Sequence, residues 1–222
     1  MKVLVLGSQG QLGLCLADQF YGSDYDVIYA TRKEIDLCDL SQTKVTILDI
    51  NPDVVINAAA YTAVDKAEVD HEEATLINET AVANLAAICK KMEIWLIHIS
   101  TDYVFDGVSD QPYKENDRPN PQCVYGKSKL DGERAIQNSD SKFLIIRTAW
   151  VFSEYGNNFV QTMLRLSDTH SEISVVCDQF GSPTYAQDLA SAIIWTLPFL
   201  EQGLASGIYH YAGIPKCSWA EF

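Results

Sequence analysis

The stretch Lys2-Val3-Leu4-Val5-Leu6-Gly7-Ser8-Gln9-Gly10-Gln11-Leu12-Gly13 decides the fold. Its first five residues are a short run rich in Val and Leu, the pattern of a strand covered on both faces in a parallel sheet. Helical spacing of Leu14, Leu16, Ala17 and Phe20 follows the glycines. A glycine-rich turn between strand and helix aims free backbone N–H groups at an anion, and the helix dipole adds to the attraction. The expected roles are a tight turn at Gly7, close backbone approach to a pyrophosphate at Gly10, and close helix–strand packing at Gly13. The spacing is Gly-x-x-Gly-x-x-Gly, not the Gly-x-Gly-x-x-Gly of the usual dinucleotide fingerprint. A plain strand–turn–helix corner is the alternative; the position directly after the first strand favours a nucleotide site.

Outward from that turn, more βα units follow. Asp26 to Ala30 reads as the second strand, with Thr31, Arg32 and Lys33 at its end and Glu34 beyond. An NAD site would place an acid there for the ribose hydroxyls; Arg32 instead suits a 2′-phosphate, which favours NADPH over NADH. Ser41 reads as a helix N-cap, and Ile50-Asn51-Pro52 as the end of that helix. Asp53 to Ile56 is the third strand, running into Asn57-Ala58-Ala59-Ala60-Tyr61-Thr62, where small residues let a cofactor pass close to the backbone. A long amphipathic helix is expected over 72–92 and a fourth strand over 93–99. His98, inside that apolar run, reads as a hydrogen-bonded core histidine.

Bulk properties narrow the classes. The chain has 222 residues with 47% apolar content, enough for a sizeable core. A net charge of −14 repels phosphate backbones and argues against nucleic-acid binding. No apolar run is long enough to span a membrane, and the N-terminus lacks a signal-peptide pattern. Six scattered cysteines without a Cys-x-x-Cys pair read as reduced thiols in a cytoplasmic protein, and four isolated histidines argue against a metal cluster.

The chemistry centres on Tyr125-Gly126-Lys127-Ser128-Lys129. A tyrosine and a lysine four apart share one helix face. An ammonium about 4 Å from a partly buried phenol is worth roughly 4 kcal/mol, about three pKa units. That shift would bring the phenol near neutral pH, where it can pass a proton. Two exposed polar residues on an ordinary helix are the bland alternative. Ser100-Thr101-Asp102-Tyr103-Val104-Phe105-Asp106-Gly107 follows the fourth strand, so a hydroxyl there can meet Tyr125 across a site. The proline-rich loop from Pro112 to Pro121 is long enough to border a pocket.

Taken together, these stretches resemble the extended short-chain dehydrogenase/reductases and, more narrowly, the dTDP-4-dehydrorhamnose reductase family. The resemblance rests on the Gly7–Gly13 turn, Asn57-Ala-Ala-Ala-Tyr-Thr-Ala-Val-Asp-Lys-Ala-Glu68, Ser100–Gly107 and Val124-Tyr-Gly-Lys-Ser-Lys129. It continues through Arg147-Thr-Ala-Trp-Val-Phe152, Gly156-Asn-Asn-Phe159 and Asp178-Gln-Phe-Gly-Ser-Pro-Thr184, in family order. It implies an α/β protein with a doubly wound parallel sheet of Rossmann type and a smaller C-terminal substrate-binding region. Residues 1–150 would hold the dinucleotide, with the sheet completed by parts of 151–200, and residues 151–222 would carry part of the substrate region. The implied activity is reduction of the C4 ketone of dTDP-4-dehydro-L-rhamnose to dTDP-L-rhamnose by NADPH or NADH.

By the same resemblance, Tyr125 is the proton donor, Lys129 its electrostatic partner and a ribose ligand, and Thr101 the hydroxyl that tunes the phenol. Gly10, Gln11 and Leu12 would touch the pyrophosphate, within the turn that Gly7 and Gly13 shape, Asp36 and Leu37 would meet the adenosine beside Arg32, and Ala60, Tyr61 and Thr62 the middle of the cofactor. Thr101, Asp102 and Trp150 would contact the dTDP-sugar, although Trp150 by itself reads as core packing after a strand. No metal is expected, because Cys15 stands where some relatives would place a metal-binding acid. The resemblance allows a homodimer.

The second half reads as a strand at 143–147, a helix at 157–166, a strand at 173–176, a helix at 186–197, a strand at 208–211 and a helix start at Ser218. The chain stops at Phe222 inside that helix start, where the family would continue, so it reads as truncated or as a shorter variant. Two rivals stay open. One is another nucleotide-sugar enzyme, a reductase, epimerase or dehydratase; Tyr103 stands where a dehydratase would want a carboxylate. The other is a non-catalytic regulatory subunit resembling the beta subunit of methionine adenosyltransferase.

Overall fold

The computed structural model describes residues 1–222. The first half runs β1 (Lys2–Leu6), α1 (Gln11–Phe20), β2 (Asp26–Ala30), α2 (Leu40–Ile50), β3 (Val54–Asn57), α3 (Val64–Ala67), α4 (His71–Thr75), α5 (Ala81–Met92) and β4 (Trp95–Thr101). The second half runs α6 (Val124–Gln137), β5 (Lys142–Thr148), β6 (Val151–Phe152), α7 (Phe159–Ser167), β7 (Phe180–Gly181), β8 (Thr184–Tyr185), α8 (Ala186–Glu201), β9 (Gly207–His210) and β10 (Cys217–Ser218).

Six strands form one parallel sheet in the order β2-β1-β3-β4-β5-β9. Alternate residues of the central strands enter two separate cores. Val3, Val5, Ile56, Ile97 and Ile146 pack under α1 and α8, while Leu4, Leu6, Val55, Leu96 and Ile145 pack under α2, α5 and the end of α6. Burial on both faces explains why β1 reads as a continuous apolar run rather than an alternating one. The expected Rossmann-like α/β architecture is thus the observed one.

Local differences have local causes. Asp39, not Ser41, caps α2, its carboxylate accepting from the Gln42 N–H at 2.9 Å. The helix therefore starts at Leu40, before Ser41. The long helix expected over 72–92 is interrupted by a π-turn at Leu76–Thr80, which joins α4 to α5. Glu93 closes α5 in the left-handed region at φ 58°, so β4 begins at Trp95 rather than at residue 93. No strand forms at 173–176: Ile173 and Val176 are 39% and 51% exposed, with no neighbouring strand to cover them. Short pairs form instead between β6 and β8 and between β7 and β10. The sixth strand of the main sheet is Gly207–His210, later than the 151–200 segment expected to complete it; that segment supplies α8, which covers the sheet. At Ser218 the capping-box bonds form, Ser218 N–H donating to Glu221 Oε2 at 2.7 Å and Glu221 N–H to Ser218 Oγ at 3.2 Å.

Candidate active site

The order of the sheet fixes where a ligand can lie. Strand β1 pairs with β2 on one side and β3 on the other, so the chain leaves it toward opposite edges and opens a crevice at the carboxyl ends. Gly7 lies there at φ 76°, and a Cβ on it would stand 2.8 Å from Ala59 N. The first turn and the small-residue end of β3 are therefore in contact. A Cβ on Gly13 would stand 2.4 Å from Gly7 O, the close packing the spacing predicted. Helix α1 starts behind Gly10 with no side chain capping its N-terminus. Gln11, the first helical residue, takes hydrogen bonds on Oε1 from Ser153 Oγ and Asn158 Nδ2, both at 3.0 Å. This ties the turn to the second half of the chain.

At the end of β2, Arg32 is exposed and lies 3.6 Å from Asp36 Oδ1. Asp36 accepts from the Cys38 N–H at 3.1 Å, and Leu37 is buried. On the other side of β1, Tyr61 is gripped by Asn78 from the π-turn. Asn78 Oδ1 accepts from Tyr61 N–H at 2.9 Å, and Nδ2 donates to Tyr61 O at 3.0 Å. Nδ2 also donates to Ser128 Oγ at 3.0 Å, and Ser128 donates to Tyr125 O at 2.8 Å. One buried amide thus couples the Ala60-Tyr61-Thr62 segment to the first turn of α6.

Tyr125 is buried on α6, with the Tyr103 ring edge-on at 5.5 Å. Thr101 ends β4, its hydroxyl donating to Asp102 Oδ1 at 3.1 Å and accepting from Tyr103 N–H at 3.2 Å. Burial pushes the Tyr125 phenol up, and hydrogen bonding with Thr101 pulls it part of the way back. Burial likewise raises Asp102. The expectation that Lys129 draws the phenol down toward neutrality is not met in this structure. The Lys129 amine turns into the sheet, donating to Ile99 O at 2.6 Å and lying 3.3 Å from His98 Nε2. Burial lowers it to about 8, against a smaller raising effect of Glu133.

Phenol, Thr101 hydroxyl and Asp102 carboxyl thus come together at the end of β4. Trp150, the other residue expected on the sugar side, is engaged by neighbouring rings. It sits at φ 47°, with its indole stacked on Trp219 at a 3.5 Å centroid separation and a further ring, Phe222, at 6.5 Å. No three His, Cys, Asp or Glu side chains gather as a metal site would need, all six cysteines are unpaired, and no helix is long and apolar enough to cross a membrane.

Comparison with known proteins places this geometry. The family model described as the RmlD substrate binding domain matches residues 1–222. A dTDP-4-dehydrorhamnose reductase of Aggregatibacter actinomycetemcomitans is 42% identical over 224 residues, covering 100% of this chain and 76% of that protein. The chain belongs to the dTDP-4-dehydrorhamnose reductase family. The spore coat polysaccharide biosynthesis protein SpsK of Bacillus subtilis is 43% identical, with 76% of its length covered. A crystal structure of the Bacillus anthracis dTDP-4-dehydrorhamnose reductase in complex with NADP superposes with a TM-score of 0.94 at 39% identity, covering 100% of this chain and 78% of that one. The chain therefore spans about three quarters of the reductases it matches.

Several buried residues of this family member escaped the reading of sequence motifs. Asn78 sits on the otherwise apolar face of a helix, between Ile77 and Ala81, which is the signal that could have revealed it. Glu133 and Arg147 form a buried bidentate pair, Nη2 to Oε2 at 2.6 Å and Nε to Oε1 at 2.9 Å, with Ser100 Oγ donating to Oε1 at 2.5 Å. Arg147 inside an apolar strand was the visible clue, since a buried guanidinium demands a carboxylate.

Proposed function

We propose that the chain reduces the C4 ketone of dTDP-4-dehydro-L-rhamnose to dTDP-L-rhamnose with NADPH, or less favourably NADH. The observation that carries this reading is the buried Tyr125 phenol beside Thr101 at the carboxyl end of the sheet, next to the switch point.

The residues present fit a dinucleotide. The N-terminus of α1 is free of any side-chain cap, the turn before it is built of glycines, and Thr148 Oγ1 at the end of β5 is buried without a hydrogen-bond partner. Gly7, Gly10, Gln11, Leu12 and Gly13 would hold the pyrophosphate, Arg32 a 2′-phosphate, Asp36 and Leu37 the adenosine, and Ala60, Tyr61 and Thr62 the middle. Residues 1–150 would be the dinucleotide-binding part and 151–222 would contribute to the substrate side. Bound there, a reduced nicotinamide supplies the hydride that reaches the ketone carbon.

The chain's own groups handle the oxygen. Tyr125 donates its proton to it as negative charge develops, while Thr101, whose own proton goes to Asp102, keeps the phenol in line. A phenol raised by burial keeps that proton until a more basic oxyanion forms, so it acts as an acid and not as a resting phenolate. The amine of Lys129, once turned from Ile99 toward Tyr125, stabilises the phenolate left behind. Asp102, bonded by Thr101, fixes the hydroxyl's direction and lines the sugar side. Trp150, stacked on Trp219, would lie on the sugar side.

The test is NADPH oxidation by the purified chain against a panel of 4-keto sugar nucleotides. Turnover of the dTDP-4-dehydro sugar, reduced about 100-fold or more in Tyr125→Phe with cofactor affinity unchanged, is the expected result. Equal turnover in Tyr125→Phe removes the phenol from the reaction, and no turnover with any ketone favours the regulatory subunit instead.

A further inference from the structure

His98 is fully buried in β4, and no step above uses it. Its ring nitrogens have fixed neighbours: Nδ1 lies 3.1 Å from Asn57 Nδ2, and Nε2 lies 3.3 Å from Lys129 Nζ. One backbone group sets the proton positions along this chain. The Ala59 N–H can only donate, and it meets Asn57 Oδ1 at 3.2 Å. The amide oxygen therefore faces Ala59 and the amide NH2 faces the ring. An NH2 group has nothing to accept with, so Nδ1 accepts and carries no proton. Burial, and secondarily the charge of Lys129, hold the ring neutral. A neutral imidazole with a bare Nδ1 carries its proton on Nε2, where it points at Nζ. An ammonium has three donors and no acceptor; a neutral amine has a lone pair. Only the neutral amine closes this contact while still donating to Ile99 O at 2.6 Å.

The surrounding charges leave this logic in place. Glu133, one turn along α6, raises the amine, but its carboxylate is taken up by Arg147 from β5 and Ser100 from β4. Tyr125, one turn back, is a phenol that burial keeps protonated. Asn57 and Asn78 carry no charge. The net effect on the amine is downward, to about 8.

We propose that His98 is a positioning residue that admits the Lys129 side chain against the sheet only as the neutral amine, so that protonation drives it toward Tyr125 and the crevice. Only the use of the released ammonium rests on the reductase reading; the tautomer and the two positions of the amine stand without it.

The test uses NMR of the wild-type chain labelled with 15N-histidine and 13C-lysine, with no substrate present. The expected spectrum has His98 protonated on Nε2 and bare on Nδ1. One lysine titrates near 8, well below the exposed lysines, and the His98 nitrogens shift with the same midpoint. An Nδ1–H tautomer, a Lys129 that titrates with the surface lysines, or a His98 signal flat through that titration overturns the proposal. In His98→Met the donor facing Nζ is lost, and the upper limb of the pH–rate profile is expected to move up by about half a pH unit or more. A packing role alone would change stability and leave the profile in place. If His98→Met does not fold, the wild-type spectra decide. Absence of ketone reduction in the wild type would sink the reductase reading while leaving the NMR outcomes as they are.

Discussion

The amine of Lys129 lies 2.6 Å from the carbonyl oxygen of Ile99, in the interior of the protein, with 2% of the residue exposed. The folded chain holds this amine at about 8, and the unfolded chain at its ordinary value of 10.5. Between those values the unfolded state binds more protons, so the stability contributed here rises with pH through that window and is lowest below 8. Lys129→Met removes the penalty and leaves the Ile99 carbonyl without its donor. We expect a net gain of about 1–2 kcal/mol at neutral pH, with activity lost. Thermal unfolding of both proteins at neutral and alkaline pH checks this: the variant's advantage should shrink as pH rises.

The Glu133–Arg147 pair should dominate the stability of the β5 side. Removing one partner leaves the other charge buried and unpaired, at a cost of about 3–5 kcal/mol. Glu133→Ala and Arg147→Met together are therefore expected to lower the urea midpoint far less than the sum of the two single losses. A double-mutant cycle measures the difference.

How much of this was legible in the sequence follows the kind of force involved. β1, β2 and the glycine turn came through because local patterning alone specifies them. The strand at 173–176 did not form, because β propensity there has no neighbouring strand to satisfy it. The helix at 72–92 was placed well, but its π-turn was invisible: it depends on Asn78 reaching Tyr61 and Ser128 across 17 and 50 residues. Thr101 and Tyr125 were found together; the direction of the phenol's shift was not, since helical spacing puts Lys129 near Tyr125 while the Ile99 carbonyl decides where the amine points.

Gly132 faces the π-turn so closely that a Cβ would stand 2.1 Å from Asn78 O. Alanine gains about 1 kcal/mol of helix propensity at such a position. The backbone clash outweighs it, and Gly132→Ala is expected to destabilise by about 1–3 kcal/mol. Because Asn78 grips Tyr61, cofactor affinity should weaken as well. Denaturation together with a fluorescence titration of NADPH would show both, and an intact affinity would uncouple the π-turn from the cofactor segment.

Arg32 is exposed and free to turn from Asp36 toward a phosphate. Arg32→Ala should weaken NADPH binding by about tenfold, the order of one charge-assisted hydrogen bond, and leave NADH nearly unaffected. Coenzyme titrations of both proteins decide it; an unmoved NADPH preference excludes this residue as the 2′-phosphate ligand.

The π-turn at Leu76–Thr80 amounts to one residue more than a regular helix would use between α4 and α5. Excising one residue there would let the segment wind as an ordinary helix while α4 and α5 keep roughly their relative direction. What would be lost is the wider turn that carries the Asn78 amide to Tyr61 and Ser128, so a chain shortened at this point should keep its helix and lose the tie between the two segments.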